Sequence, residues 1–219
     1  MNRIIWLFRE TRSGGTWLAS YLSSKLNRTP IFLEEGLPTN LSLFEKIKRI
    51  GERTQIDSDY NSILHTHIYE LIKMLDRYDN PIVLRCSRKN KFDQFLSWCS
   101  VKHSDYSFYN LQKNLDTTQN NLYQNFISKQ IQVTRQDYIQ WQSYELNRID
   151  KFWKLANSFE NYTIYYEDMV KGTAGIPCLN LYNIKMNDEG LILKLPDSYK
   201  KDKIINYNEV REWFNNDQT

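Results

Sequence analysis

The residues best suited to chemistry lie in a short stretch near the start of the chain, Thr11-Arg12-Ser13-Gly14-Gly15-Thr16-Trp17. Gly14 and Gly15 let the backbone approach a bound group closely, and Ser13 and Thr16 carry hydroxyl donors. Arg12 adds a permanent positive charge. Where such a stretch opens a helix, the first backbone N–H groups point outward and favour an anion. A plain helix cap, with Ser13 or Thr16 as the capping hydroxyl, uses the same residues without any ligand. The spacing is neither GxxxxGK[ST] nor GxGxxG, which weighs against an ATP or GTP hydrolase.

Three other groups carry chemistry. The basic turn Arg85 to Lys91 is followed by Gln94 and Ser97. A guanidinium with a hydroxyl on the next helical turns suits a dianionic phosphate, and Arg85 and Arg88 are rivals for the part. His65 and His67 alternate, so on a strand both face one side, as an HxH pair of metal ligands would. Asp57 and Asp59 are near, but no third and fourth ligand stands at a fixed spacing, and no metal is expected. An imidazole is also the natural general base near neutral pH, and Glu34 and Glu35 offer a carboxylate instead. Read bare, that glutamate pair is a solvated loop, and a histidine at a strand end is a structural residue.

These side chains need elements to hold them. Arg3 to Phe8 is a short apolar run rich in β-formers, and Thr16 to Leu26 has helical spacing, giving strand, glycine loop and helix. Pro30 to Leu33 reads as an extended piece, Leu41 to Glu52 as a helix, Asn61 to His67 as a strand and Ile68 to Tyr78 as a helix. Pro81 to Leu84 is a second buried strand, with a helix over Phe92 to Val101. Gln136 to Phe159 has the longest helical pattern, and Tyr162 to Tyr166 forms a third convincing strand, ending in Glu167 and Asp168. The remainder is loop-rich, with a short helix over Glu209 to Phe214. Ser104 to Gln132 is polar without a clean period, either an irregular excursion or a helical lid over 104–135. Alternating strands and helices predict an α/β fold with a mainly parallel sheet, in a single domain over 1–219.

Composition narrows the field further. At 219 residues, 41% hydrophobic and 25% charged, the chain is long enough and ordinary enough for one well-packed core. Its 29 basic and 26 acidic residues leave a net charge of +3, with basic residues concentrated only around Arg85 to Lys91 and Lys200 to Lys203. That pattern does not predict a nucleic-acid binder. Cys86, Cys99 and Cys178 include no CxxC pair, so neither a disulfide scaffold nor a zinc ribbon is expected, and the thiols read as core residues. The start of the sequence is charged too early for a secretory signal, and no apolar run nears the ~18 residues of a membrane span. A cytoplasmic protein is the expectation.

The loop TRSGGTW resembles the 5′-phosphosulfate loop of the sulfotransferases, with Arg12, Ser13, Gly14, Thr16 and Trp17 matching its pattern. Thr11 stands for the usual proline and Gly15 for the usual hydroxyl residue. Arg88 through Gln94 to Ser97 resembles the 3′-phosphate element in its bacterial, trehalose-sulfotransferase-like spacing. Tyr166-Glu167-Asp168 is similar to the segment whose tyrosine contacts adenine, and His65-Thr66-His67 to the Lys-Thr-His element of the cytosolic branch. The likeness spans roughly residues 3 to 170, and the last ~50 residues lack the closing nucleotide motif of that family.

The resemblance implies a P-loop-like three-layer fold and 3′-phosphoadenosine 5′-phosphosulfate (PAPS) as donor, with the bisphosphate PAP as product. Sulfuryl transfer would proceed in line to a hydroxyl of a small-molecule, carbohydrate or aromatic acceptor, without a metal. Arg12 would neutralise charge developing on the leaving phosphate. Ser13, Gly14, Gly15, Thr16, Arg88, Ser97 and Tyr166 would bind the donor. Trp17 would stack on adenine or anchor the core. His67 or Glu35 would act as base, beside His65. A P-loop-like kinase using ATP and a donor-binding module without turnover are the alternatives. His65 in place of lysine and Gly15 in place of a hydroxyl favour the module.

Overall fold

The computed structural model describes residues 3–10, 12–33, 37, 40–56, 62–66, 69–103, 128–143, 149, 152, 154, 156–186 and 199–216. The chain opens with strand β1 (Ile5–Arg9), helix α1 (Gly15–Leu26), strand β2 (Thr29–Phe32) and helix α2 (Leu43–Ile56). Strand β3 (Ser62–Thr66), a 3-10 helix (Tyr69–Arg77), strand β4 (Ile82–Ser87) and helix α3 (Lys91–Lys102) follow. Then come α4 (Arg135–Trp141), β5 (Glu160–Tyr165), α5 (Tyr166–Lys171), the hairpin strands β6 (Ala174–Ile176) and β7 (Leu181–Ile184), α6 (Tyr199–Lys203) and α7 (Tyr207–Asn216).

Strands β1 to β5 form one sheet in the order β2-β3-β1-β4-β5, every neighbouring pair parallel. Helices flank it, as the α/β expectation required, and the arrangement is consistent with a three-layer P-loop-like fold. Parallel strands are covered on both faces, so they read as continuous apolar runs. Trp6, Phe8, Leu64 and Val83 pack on one face against Ile50, Leu71, Ile72, Leu75 and Phe152. Ile5, Leu7, Ile63, Leu84 and Cys86 pack on the other against Trp17, Leu18, Ala19 and Leu22 of α1. Each fully buried side chain of this size contributes roughly 1.5–3 kcal/mol. A third cluster lies away from the sheet, where Phe95 and Cys99 of α3 meet Tyr138, Trp141, Ile204, Val210 and Phe214.

The topology creates a crevice. From β1 the chain turns toward β2, whereas from β4 it turns the opposite way toward β5. Adjacent strands whose connections part in this way leave a cleft at their carboxyl ends, where α/β proteins bind ligands. The loop after β1 carries Arg12, Ser13 and Gly14, and the loop after β4 carries Arg88.

Four expectations are corrected. Residues 69–77 form a 3-10 rather than an α-helix. Leu71 and Met74 lie three apart, as do Ile72, Leu75 and Tyr78, and all meet the same core, which matches three residues per turn. Arg85 belongs to β4, not to a turn, because the strand runs on to Ser87. Tyr166 opens α5 instead of closing β5. The loop-rich tail contains an antiparallel hairpin and helix α6. In the 136–159 pattern the described helix is Arg135–Trp141. Most of the expected lid lies outside the described residues; within its last residues, Ile131 bridges Ile204 in parallel and Thr134 caps α4. Among the described residues no helix is long and apolar enough to cross a membrane.

Candidate functional site

The glycine loop is folded by its own main chain. Ser13 donates from its backbone N–H (3.3 Å) and from its hydroxyl (2.7 Å) to the carbonyl of Glu10. Arg12 (φ 62°) and Gly14 (φ 82°) take the left-handed conformation that reverses the chain into α1. For a non-glycine residue such as Arg12 that conformation is strained, and it persists where the surroundings enforce it. Gly14 occupies the N-cap of α1, and among the described residues no side chain caps the helix. The reading of Ser13 or Thr16 as an ordinary helix cap is therefore corrected: Ser13 is spent on Glu10, and Thr16 accepts from Arg9 Nη1 at 3.2 Å.

Both glycines are required by what surrounds them. A Cβ on Gly14 would lie 3.0 Å from the Tyr166 ring and 3.2 Å from the Met186 methyl. On Gly15 it would lie 2.6 Å from Cβ of Arg9, well inside contact distance. The absence of a hydroxyl residue at position 15 thus has a local cause, the arginine that ends β1.

Arg12 reaches across to α3, its Nε donating to Ser97 Oγ at 3.0 Å. The two residues, 85 apart in sequence, are brought into contact. Arg88 is 9% exposed and lies over the ring of Tyr166, 4.0 Å from its centre. Among the described residues no hydrogen bond or ion pair reaches it, and its Nε is buried without a partner. Arg85, its rival, is committed elsewhere: it forms a buried ion pair with Glu10. Tyr166 joins the two halves of the site, touching the Gly14 position on one side and Arg88 on the other.

The other two residues of the Tyr-Glu-Asp segment hold the basic turn. Glu167 accepts from the backbone N–H of Lys89 (2.9 Å) and Asn90 (3.1 Å), and Asp168 pairs with Lys89 Nζ at 2.6 Å. Asn90 then caps α3, accepting from the N–H of Asp93 at 3.0 Å. An open groove of about 390 Å³ lies beside this turn, lined in part by Lys89, Lys91, Tyr207 and Arg211.

Glu10 is the residue that sequence reasoning missed. Its side chain is fully buried and takes four donors: Arg85, Lys91 Nζ (2.5 Å), Ser87 Oγ (2.8 Å) and Gln94 Nε2 (3.2 Å). Burial alone would raise its pKa, but the charges of Arg85 and Lys91 outweigh it and hold the carboxyl below its usual value. A signal did exist: an acid directly after a buried strand, with an arginine in β4, the strand beside it.

The remaining candidates are placed less centrally. Trp17 is buried and stacks on Tyr21 (5.2 Å between ring centres), making it a core anchor of α1. His65 is fully buried, edge-on to Phe32 at 4.7 Å, and pairs in register with Leu7 inside the sheet. His67, Glu34, Glu35, Thr11, Asp57 and Asp59 lie outside the described residues. Among the described residues no three His, Cys, Asp or Glu side chains gather into a metal-sized cluster. The Cys86 thiol donates to the Ser13 carbonyl at 3.1 Å, and burial pushes its pKa up to about 12, so it is not a nucleophile.

No protein-family model matches the chain, and no curated protein matches it.

Proposed function

We propose that the chain is a sulfotransferase that moves a sulfuryl group from PAPS to an acceptor hydroxyl. The observation that carries this reading is that the loop after β1 reaches two other parts of the candidate site, Arg12 through its hydrogen bond to Ser97 and Gly14 through Tyr166, which lies under Arg88. The residues fit a doubly anionic ligand. Among the described residues, Arg88 is a buried guanidinium with no carboxylate partner, no side chain caps the start of α1, and a Cβ at position 14 would crowd Tyr166.

When bound, PAPS supplies an activated sulfuryl group whose transfer leaves the bisphosphate. Arg12 offers a fixed positive charge where the leaving phosphate gains charge, and its hydrogen bond to Ser97 holds that charge in place. Arg88 and Ser97 serve the second phosphate, and the start of α1 receives the first. Removal of the acceptor proton falls to His67 or Glu35. A second reading, a donor-binding module without turnover, is favoured by His65, which stands where the family has a lysine and is sealed in the core.

Thermal unfolding with PAP, ATP or GTP tests the proposal. A ligand at ~100 times its Kd adds roughly 2.7 kcal/mol, a rise of about 5–10 °C for a domain of this size. A shift with PAP alone, weakened in Arg88→Ala, supports the donor site. A shift with ATP instead, or with nothing, overturns it. Release of PAP from PAPS in the presence of a panel of hydroxyl acceptors then separates enzyme from binding module.

A further inference from the structure

We propose that Glu10 is the positioning residue of this site, setting the loop and α3 together so that Arg12 meets Ser97. The inference rests on the donor-site reading above. Glu10 acts in two directions at once. Its carbonyl oxygen accepts both hydrogen bonds from Ser13 and so shapes the loop that carries Arg12. Its carboxylate holds Lys91 and Gln94, both on α3.

Gln94 and Ser97 are three residues apart, hence neighbours on one face of the helix. Fixing Gln94 therefore sets the rotation and height at which Ser97 is offered to Arg12. Lys91 is the first residue of α3, where the helix dipole opposes a cation. It is retained there with Glu10 Oε2 at 2.5 Å, Gln94 Oε1 at 3.1 Å and Ser87 Oγ at 3.3 Å. Arg85 and Ser87 bring in β4, so one carboxylate ties the ends of β1, β4 and α3. Its negative charge also occupies Arg85 and Lys91. Glu10 touches no ligand itself and acts through other side chains.

The test compares Glu10→Gln, Glu10→Asp, Gln94→Leu, Ser97→Ala and the Gln94→Leu/Ser97→Ala double variant. PAP affinity is measured by calorimetry and the Arg12 Nε–H resonance by NMR. Gln94→Leu, which loses the bonds to Glu10 and from Lys91, is expected to weaken PAP binding about tenfold, as is Ser97→Ala, which loses the bond from Arg12. If Gln94 works through Ser97, the double variant is no weaker than either single one; additive losses overturn the proposal. Glu10→Gln is expected to lose more than Gln94→Leu, with partial rescue by Glu10→Asp. Should Glu10→Gln not fold, Gln94→Leu decides alone, because it leaves the Arg85 pair intact. The Arg12 Nε–H resonance needs no ligand: it should move in Gln94→Leu, and an unmoved signal overturns the proposal. If wild type binds no PAP, the donor-site reading fails, and the resonance still decides the role of Glu10.

Discussion

Helix α3 is tied at each end by a lysine and a buried carboxylate, and the two ties are built differently. At its start Lys91 meets Glu10; at its end Lys102 Nζ meets Asp137 at 2.6 Å. Asp137 also accepts from the Thr134 N–H (2.8 Å) and hydroxyl (2.7 Å) and lies 3.1 Å from His103 Nε2. That is a capping box: Thr134 and Asp137 satisfy each other's backbone and start α4. Lys102 and His103 sit at the C-terminal end of α3, where the helix dipole favours cations. Every interaction there agrees with local helix chemistry.

The Glu10 end does the opposite. Its cation stands at the wrong end of the helix, its donors are all side chains from distant segments, and the loop beside it holds Arg12 in a strained backbone conformation. Local rules are broken where ligand binding is proposed and obeyed where only stability is needed. Such exceptions are the usual mark of a functional site.

The contrast can be broken by mutation, and the largest effect is expected at Glu10. Glu10→Ala strands two cations at a buried site, at a cost of about 3–5 kcal/mol. For a chain of this size the midpoint should fall by roughly 10 °C in calorimetry. Equal losses from Glu10→Ala and Asp137→Ala would erase the distinction between the two ends. Next, Asp137→Asn removes one half of a cap and should cost about 1 kcal/mol while leaving PAP affinity unchanged. The lysines sharpen the comparison: Lys91→Met is expected to weaken PAP binding about threefold to tenfold, whereas Lys102→Met, at the price of under about 1 kcal/mol, leaves it alone. Smallest of all, Lys89→Ala, at an exposed pair with Asp168, should leave the unfolding midpoint within error.

Acid separates the ends in another way. Burial would raise the Asp137 pKa, but the hydrogen bonds from Lys102 and Thr134 prevail and bring it down to about 2. Glu10 is also lowered, from a starting value of 4.5. Both folded-state pKa values lie below the unfolded ones, so each tie contributes in full above its unfolded value and fades as the pH falls through the folded one. Wild type should lose stability from about pH 4.5 downward, continuing to about 2. In Asp137→Asn the loss should be smaller between about pH 4 and 2, measured by chemical denaturation at each pH.

Much of this was legible in the residues. β1, α1, β4 and α3 declared themselves through apolar runs, a glycine break and helical spacing, and the separation of Arg88 and Ser97 marked the second half of the site. What was not legible depended on partners far along the chain. Arg85 and Arg88 look equivalent in sequence, and only the extension of β4 to Ser87 turns Arg85 toward Glu10. Tyr166 gave no sign that it would open a helix. The 3-10 helix was hidden because Leu71, Ile72, Met74 and Leu75 satisfy the α-helical period as well as a period of three. The hairpin of β6 and β7 lacks the strong alternation that would have announced it.

The contact between Gly15 and Arg9 has a consequence for how such a loop changes over generations. Position 15 cannot gain a side chain while Cβ of Arg9 stands 2.6 Å from where its Cβ would go, unless the backbone shifts. The two positions therefore form a single heritable unit, and the order of substitution matters. Replacing Arg9 by glycine first opens a route on which a threonine at 15 becomes acceptable. The reverse order passes through a damaged intermediate that selection would remove. A library randomised at both positions should yield functional pairs in which a residue larger than glycine at 15 occurs only with glycine at 9.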